Sequence, residues 1–223
     1  MVRLLDKLEV PHAAYDGIVS SGDVTQDVML ARRDQRVFTI GPQRDLPTFT
    51  ELGITFAPAE SADYVVCTGL FDDEKETPES YRPLLMRLRE RNLFMVCANP
   101  DLVVERGERL VYCAGSIADL YASLGGEVLY AGKPYRPIYE TALGKAAALR
   151  GQSPQLDRVL AIGDSVRTDL AGATAFGIDC LFVTAGIHAE ELGGRETPDP
   201  KLLQSIFAGA QSFPKAVTRR LVW

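Results

Sequence analysis

The stretch Arg158-Val159-Leu160-Ala161-Ile162-Gly163-Asp164-Ser165-Val166-Arg167-Thr168-Asp169-Leu170 constrains the fold more than any other. An apolar run of strand length stops at a Gly-Asp turn, and Thr168-Asp169 then opens a helical pattern that Gly177 closes. A short apolar run bounded by glycine and followed by an amphipathic segment reads as a buried parallel strand feeding a helix. In sheets of that kind chemistry sits beyond the carboxyl ends of the strands, which is where Asp164 falls.

The rest of the chain repeats the alternation. Strands are expected at 36–41, 63–69, 93–98, 127–131, 158–163 and 180–184, with a shorter strand and turn over 15–23. Helices are expected at 24–33, 46–52, 80–91, 116–124, 137–150, 169–176 and from 201 onward. Strands alternating with helices define an α/β class, a doubly wound parallel sheet. Two such blocks meet near Gly22 and again near Gly125-Gly126. The first element is unusual: Val2, Leu5 and Leu8 stand at helical spacing with no Ser, Thr, Asp or Asn ahead of them to cap the helix. The chain reads as though it were entered inside an amphipathic helix.

Composition removes several classes of function. Net charge is −6 with no basic run, which argues against a nucleic-acid partner. No apolar stretch approaches the ~20 residues of a membrane span. The start lacks the parts of a signal peptide, so a cytoplasmic protein is expected. The four cysteines, Cys67, Cys97, Cys113 and Cys180, are scattered without a CxxC pair and read as buried reduced thiols. Two histidines, His12 and His188, are too few for a His-rich zinc site. No strand is followed by G-x-G-x-x-G, so a dinucleotide fold is disfavoured.

Lys133 and Asp164 each follow a strand, and one helix joins the two strands. A right-handed crossover within one sheet would bring both to the same edge, with the helix from Asp169 aimed at them. Helix N-termini bind phosphate, a lysine neutralises it and carboxylates hold Mg²⁺, so the set suits phosphoryl chemistry. Gly-Lys-Pro alone reads equally well as a surface turn. Gly-Asp with Thr-Asp close behind is the more specific signal.

Gly132-Lys133-Pro134 followed about thirty residues later by Gly163-Asp164-Ser165-Val166-Arg167-Thr168-Asp169 resembles the third and fourth motifs of the haloacid dehalogenase (HAD) superfamily. The Asn99-Pro100-Asp101 turn and the size of the middle block resemble its subclass IIA phosphatases. The resemblance implies a discontinuous core domain, 1–22 and 126–223, and an inserted α/β cap, 23–125. It implies that Lys133 steadies the phosphate, that Asp164 binds Mg²⁺ and that Asp169 supports the metal site. Ser165, Val166, Arg167 and Thr168 match a loop touching substrate, and Asn99 and Asp101 match a cap turn facing it. For that turn the alternative is a plain strand end with Asn at positive φ. The substrate class implied is a small phosphorylated metabolite; homodimerisation through the cap is an expectation from the resemblance alone.

The first motif, a strand ending Asp-x-Asp-Gly that supplies the nucleophile, is not visible, nor is the second, a strand ending in Ser or Thr. Tyr15-Asp16-Gly17-Ile18-Val19 imitates the first, but Ala14 stands at the nucleophile position and Val10-Pro11-His12 precedes it. Ser20-Ser21 imitates the second out of place. Loss of a central strand should leave a gap in the sheet, so the expectation is an N-terminally incomplete enzyme, inactive as it stands. The alternative is a non-catalytic relative that binds a phosphorylated ligand or a protein.

Overall fold

The computed structural model describes residues 2–107, 109–194 and 196–222. The chain divides into two compact units, one of residues 1–5 and Ile18–Gly132, the other of Asp6–Gly17 and Lys133–Trp223. Helix α1 (Val2–Lys7) opens the chain.

In the first unit α2 (Ser21–Ala31) starts three residues earlier than its apolar pattern predicts. Ser20 and Asp23 explain the shift: the Ser20 side chain accepts from the Asp23 amide, and the Asp23 carboxylate takes the Ser20 N–H, a reciprocal cap. Ser20 is therefore a helix cap, and no strand forms over 15–23. Strands β1 (Arg36–Ile40), β2 (Thr55–Phe56), β3 (Tyr64–Cys67) and β4 (Phe94–Cys97) come next, with a short α3 (Pro47–Thr50) and α4 (Arg82–Glu90) between them. A hairpin, β5 (Val103–Arg106) and β6 (Arg109–Tyr112), turns at Gly107, whose φ of 65° favours glycine. Then come α5 (Ala114–Ser123) and β7 (Val128–Tyr130). The hairpin has no counterpart among the expected elements; only Gly107 hinted at it.

The sheet order is β2-β1-β3-β4-β7, all parallel. All four residues of β3 are buried, as a central parallel strand requires. Alternation divides them between two cores. Val65, Cys67, Met95 and Cys97 meet Leu85, Leu88, Ile117 and Tyr121 of α4 and α5. Tyr64, Val66 and Val96 meet Met29, Val37 and Phe49. All four cysteines are free and buried. Burial pushes the Cys67 thiol up to about 12 and the Cys97 thiol in the same direction, so neither is a nucleophile at neutral pH.

One partly buried charge fastens the hairpin to this unit. Asp73 accepts from Arg106 on β5 and from Arg44, each at 2.8 Å, and Arg106 leads in holding its carboxyl down to about 2. Because the folded-state value lies below the ordinary 3.8, this stabilisation is complete above about pH 4 and fades as pH falls through 2. Asp73→Asn should lower stability by about 1–2 kcal/mol at pH 7, and the gap from wild type should close progressively between pH 4 and pH 2 in urea unfolding.

The second unit holds α6 (Arg136–Arg150), β8 (Leu160–Gly163), α7 (Ala171–Phe176), β9 (Asp179–Val183), α8 (Pro200–Ala210) and β10 (Ala216–Thr218). Its sheet is β10-β9-β8, parallel throughout. One face is covered: Ala161, Cys180 and Phe182 pack on Val166, Leu170, Ala173 and Phe207. The other is open, with Leu160 at 51% and Ile162 at 49% exposure, and β8 is an edge strand. No residue of the fifteen in α6 is buried.

The crossover expected to join Lys133 and Asp164 within one sheet does not form. The strands on either side of α6, β7 and β8, belong to different sheets. β7 pairs with β4 because Val128 and Tyr130 complete one core of the first unit and Leu129 the other. Periodicity identifies a strand but not its neighbour, and that is why the sequence could not distinguish the two arrangements. Among the described residues no helix is long and apolar enough to cross a membrane.

Candidate active site

The site is built on the turn after β8. The Ser165 side chain caps the segment from Val166 to Leu170 by accepting from the Thr168 amide at 3.2 Å. The Ser165 carbonyl accepts from both Asp169 and Leu170 at 3.0 Å, a widened turn of the kind that helices carry at functional positions. The chain then runs into α7. Widening carries the Asp169 side chain back over the strand end.

Asp169 is 7% exposed and satisfied from three directions. Oδ2 accepts from the Asp164 and Ser165 amides, each at 3.1 Å. Oδ1 receives the Lys133 ammonium at 2.5 Å. Buried charge requires such partners, and charge-assisted bonds are the strong ones. Gly163 makes the arrangement feasible, since a Cβ there would collide with the Asp169 carboxylate.

Asp164 is half-buried beside it, with Oδ2 accepting from the Ile187 amide at 2.9 Å. A Cβ on Gly186 would collide with that carboxylate, so glycine lets the loop after β9 close on the turn. The next residue after Ile187, His188, takes the Val166 N–H on Nε2 at 3.3 Å and meets Glu191 through Nδ1 at 2.8 Å. Sequence reasoning passed over His188. Its signal was position: it comes after β9, on the same sheet edge as Asp164.

The lysine and both carboxylates of the fourth-motif stretch thus come together in one unit. Ser165 and Val166 are buried and hold the turn, Thr168 is partly exposed and Arg167 is exposed. Asn99 and Asp101 belong to the other unit. Asn99 is not among the described residues with positive φ; its Oδ1 accepts from the Asp101 amide at 3.2 Å, so the turn is closed by the side chain instead. The Asp101 carbonyl accepts from Gly115 at 3.1 Å, fastening this turn to the start of α5.

Asp169 also shapes its surroundings. Partial burial, and then the charge of Asp169, push the Tyr139 hydroxyl up to about 12, so it stays a neutral donor. Tyr139 stacks on Phe176 at 5.2 Å, and Gly172 leaves room for its hydroxyl. The donors present are hard oxygens, the type Mg²⁺ prefers. Asp164 Oδ1 takes no hydrogen bond from the described residues, whereas both Asp169 oxygens are engaged. No group of three or more His, Cys, Asp or Glu able to hold a metal occurs among the described residues. Asp164 Oδ1 is thus the carboxylate oxygen of the pair left open to a ligand, while Asp169 holds the turn that carries it.

A parallel α/β unit with a carboxylate, a second buried carboxylate and a lysine at the end of one strand has the architecture of HAD-like hydrolases. The family model described as HAD-hydrolase-like matches residues 130–206. A haloacid dehalogenase-like family hydrolase from Brucella suis 1330 is 46% identical, covering 99% of this chain and 78% of that one, with a TM-score of 0.76. The chain belongs to the haloacid dehalogenase-like family. More distant structures share the fold. A p-nitrophenyl phosphatase from Archaeoglobus fulgidus is 22% identical over 89% of this chain and 69% of its own, TM-score 0.64. A glycerol phosphate phosphatase from Mycobacterium tuberculosis, solved in complex with calcium, is 20% identical over 74% and 47%, TM-score 0.55. No curated protein matches the chain.

Proposed function

We propose that these residues form the metal and phosphate site of a Mg²⁺-dependent phosphatase of a small phosphate ester, and that they hold no nucleophile of their own. The observation that carries the reading is the convergence of Asp164, Asp169 and Lys133 on the turn after β8. The phosphatases among the structural relatives, one of them with a divalent cation bound, support it.

In this reading Asp164 offers Oδ1 to the cation, and Asp169 holds the turn that aims it. Lys133 keeps its ammonium at the mouth of the turn, 49% exposed, where it can neutralise a phosphoryl oxygen. The cation, when bound, supplies charge neutralisation at the transferring group. The five-stranded unit serves as the cap in this reading.

The nucleophilic carboxylate is not among the described site residues. Ala14, at the position the Asp-Gly pair would assign to it, ends a short 3₁₀ turn rather than a strand. The open edge of β8, with Leu160 and Ile162 exposed, is where a further strand would pair. The same apolar face is what favours the protein-binding form of the second reading, a non-catalytic relative. The expected result is that the chain, given p-nitrophenyl phosphate and Mg²⁺, releases no more nitrophenol than an Asp164→Asn control. Turnover that Asp164→Asn abolishes would place a working nucleophile within these residues.

A further inference from the structure

We propose that His188 is a positioning residue of this site, acting through the lone pair on Nε2 that holds the Val166 amide. The proposal rests on the reading of the 164–170 turn as the phosphate and metal site, and adds what sets the shape of that turn.

The geometry leaves one tautomer. Val166 N–H can only donate, so Nε2 must carry a lone pair, and the ring proton is on Nδ1. Nδ1 then donates to Glu191 Oε2 at 2.8 Å, and the carboxylate selects that tautomer. The ring is held as well as oriented: the side chain is 19% exposed and its centroid lies 6.2 Å from that of Phe182 in the core.

The Val166 amide is the first N–H of the turn not taken by Asp169. Asp169 binds the amides of 164 and 165; His188 takes the next. One residue back, the Ile187 amide holds Asp164 Oδ2. Consecutive residues of the loop after β9 therefore grip the turn on both sides of Ser165, one through the carboxylate and one through the backbone. Loss of the His188 contact would leave Val166, which is 5% exposed, with an unpaired buried amide. The cheapest relief is a rotation of the 164–166 backbone, and that re-aims Asp164.

Uniformly ¹⁵N-labelled protein tests this, with His188→Gln, whose Oε1 can still accept from Val166, and His188→Phe, which keeps a ring against Phe182 without an acceptor. Long-range ¹H–¹⁵N spectra of wild type should show the proton on Nδ1. Val166 amide exchange should be roughly tenfold faster in His188→Phe and within about threefold of wild type in His188→Gln. The Mg²⁺ concentration that half-shifts the amides of 163–169 should rise roughly tenfold in the Phe variant only. A proton on Nε2 in wild type, or a Phe variant matching wild type in exchange and Mg²⁺ midpoint, overturns the proposal. If wild-type amides do not respond to Mg²⁺, the metal reading of Asp164 is what fails, and Val166 exchange alone then decides whether His188 holds the turn.

Discussion

Asp169→Ala is expected to destabilise the second unit by about 2–4 kcal/mol, the largest loss of any single substitution at the site. The loss comes from the groups left without a partner. Two amides, of half-buried Asp164 and buried Ser165, lose their acceptor, and such an orphan costs about 1–3 kcal/mol where water cannot reach it. Lys133 loses its partner too, but it is half-exposed and recovers water, so its share is small. Asp169→Asn keeps one oxygen for the amides and should cost about half as much. Lys133→Met should cost under about 1 kcal/mol, because the amides still satisfy one carboxylate oxygen. Urea midpoints of the three variants, ranked Ala, then Asn, then Met in order of loss, check the assignment of Asp169 as the residue that shapes the turn.

The second large effect is steric. Gly186→Ala should disrupt the site by displacing Asp164, with a stability loss of about 1–3 kcal/mol. Gly186 is not among the residues with positive φ, so no backbone strain contributes; the added methyl simply occupies the place of the Asp164 carboxylate. Gly163→Ala is expected to act the same way against Asp169. Gly144 is the matching control. It lies within α6 with nothing near its Cβ position, so Gly144→Ala should stabilise by about 0.5–1 kcal/mol through helix propensity. Thermal unfolding of these variants separates crowding at the site from the general effect of replacing glycine.

The site was more legible than the topology. The run from Val159 to Asp169 has a strand period, a glycine where the chain must turn and acidic residues where a helix begins, and these local signals locate Asp164, Asp169 and Ser165 before any pairing is known. Lys133 was found for a reason that did not hold. Its strand lies in another sheet, yet the lysine still reaches Asp169, because α6 begins only three residues later and keeps it in the second unit. What stayed illegible depends on partners distant in sequence. Nothing local says that β7 completes the sheet of β4, that β10 adds to β9, or that His188 turns its ring to the Val166 amide. The Ser20–Asp23 cap was legible and was missed, because the apolar pattern of α2 begins only at Val24.

The most direct test of the central claim, that Asp164, Asp169 and Lys133 form a Mg²⁺ and phosphate site, is calorimetric titration of Mg²⁺ into the protein with inorganic phosphate present. Wild type should bind saturably, and Asp164→Asn should weaken binding by tenfold or more, on the order of 1.4 kcal/mol. Asp179→Asn, at the opposite end of the same sheet, should bind as wild type does. Equal binding by wild type and Asp164→Asn, or none by wild type, would contradict the account.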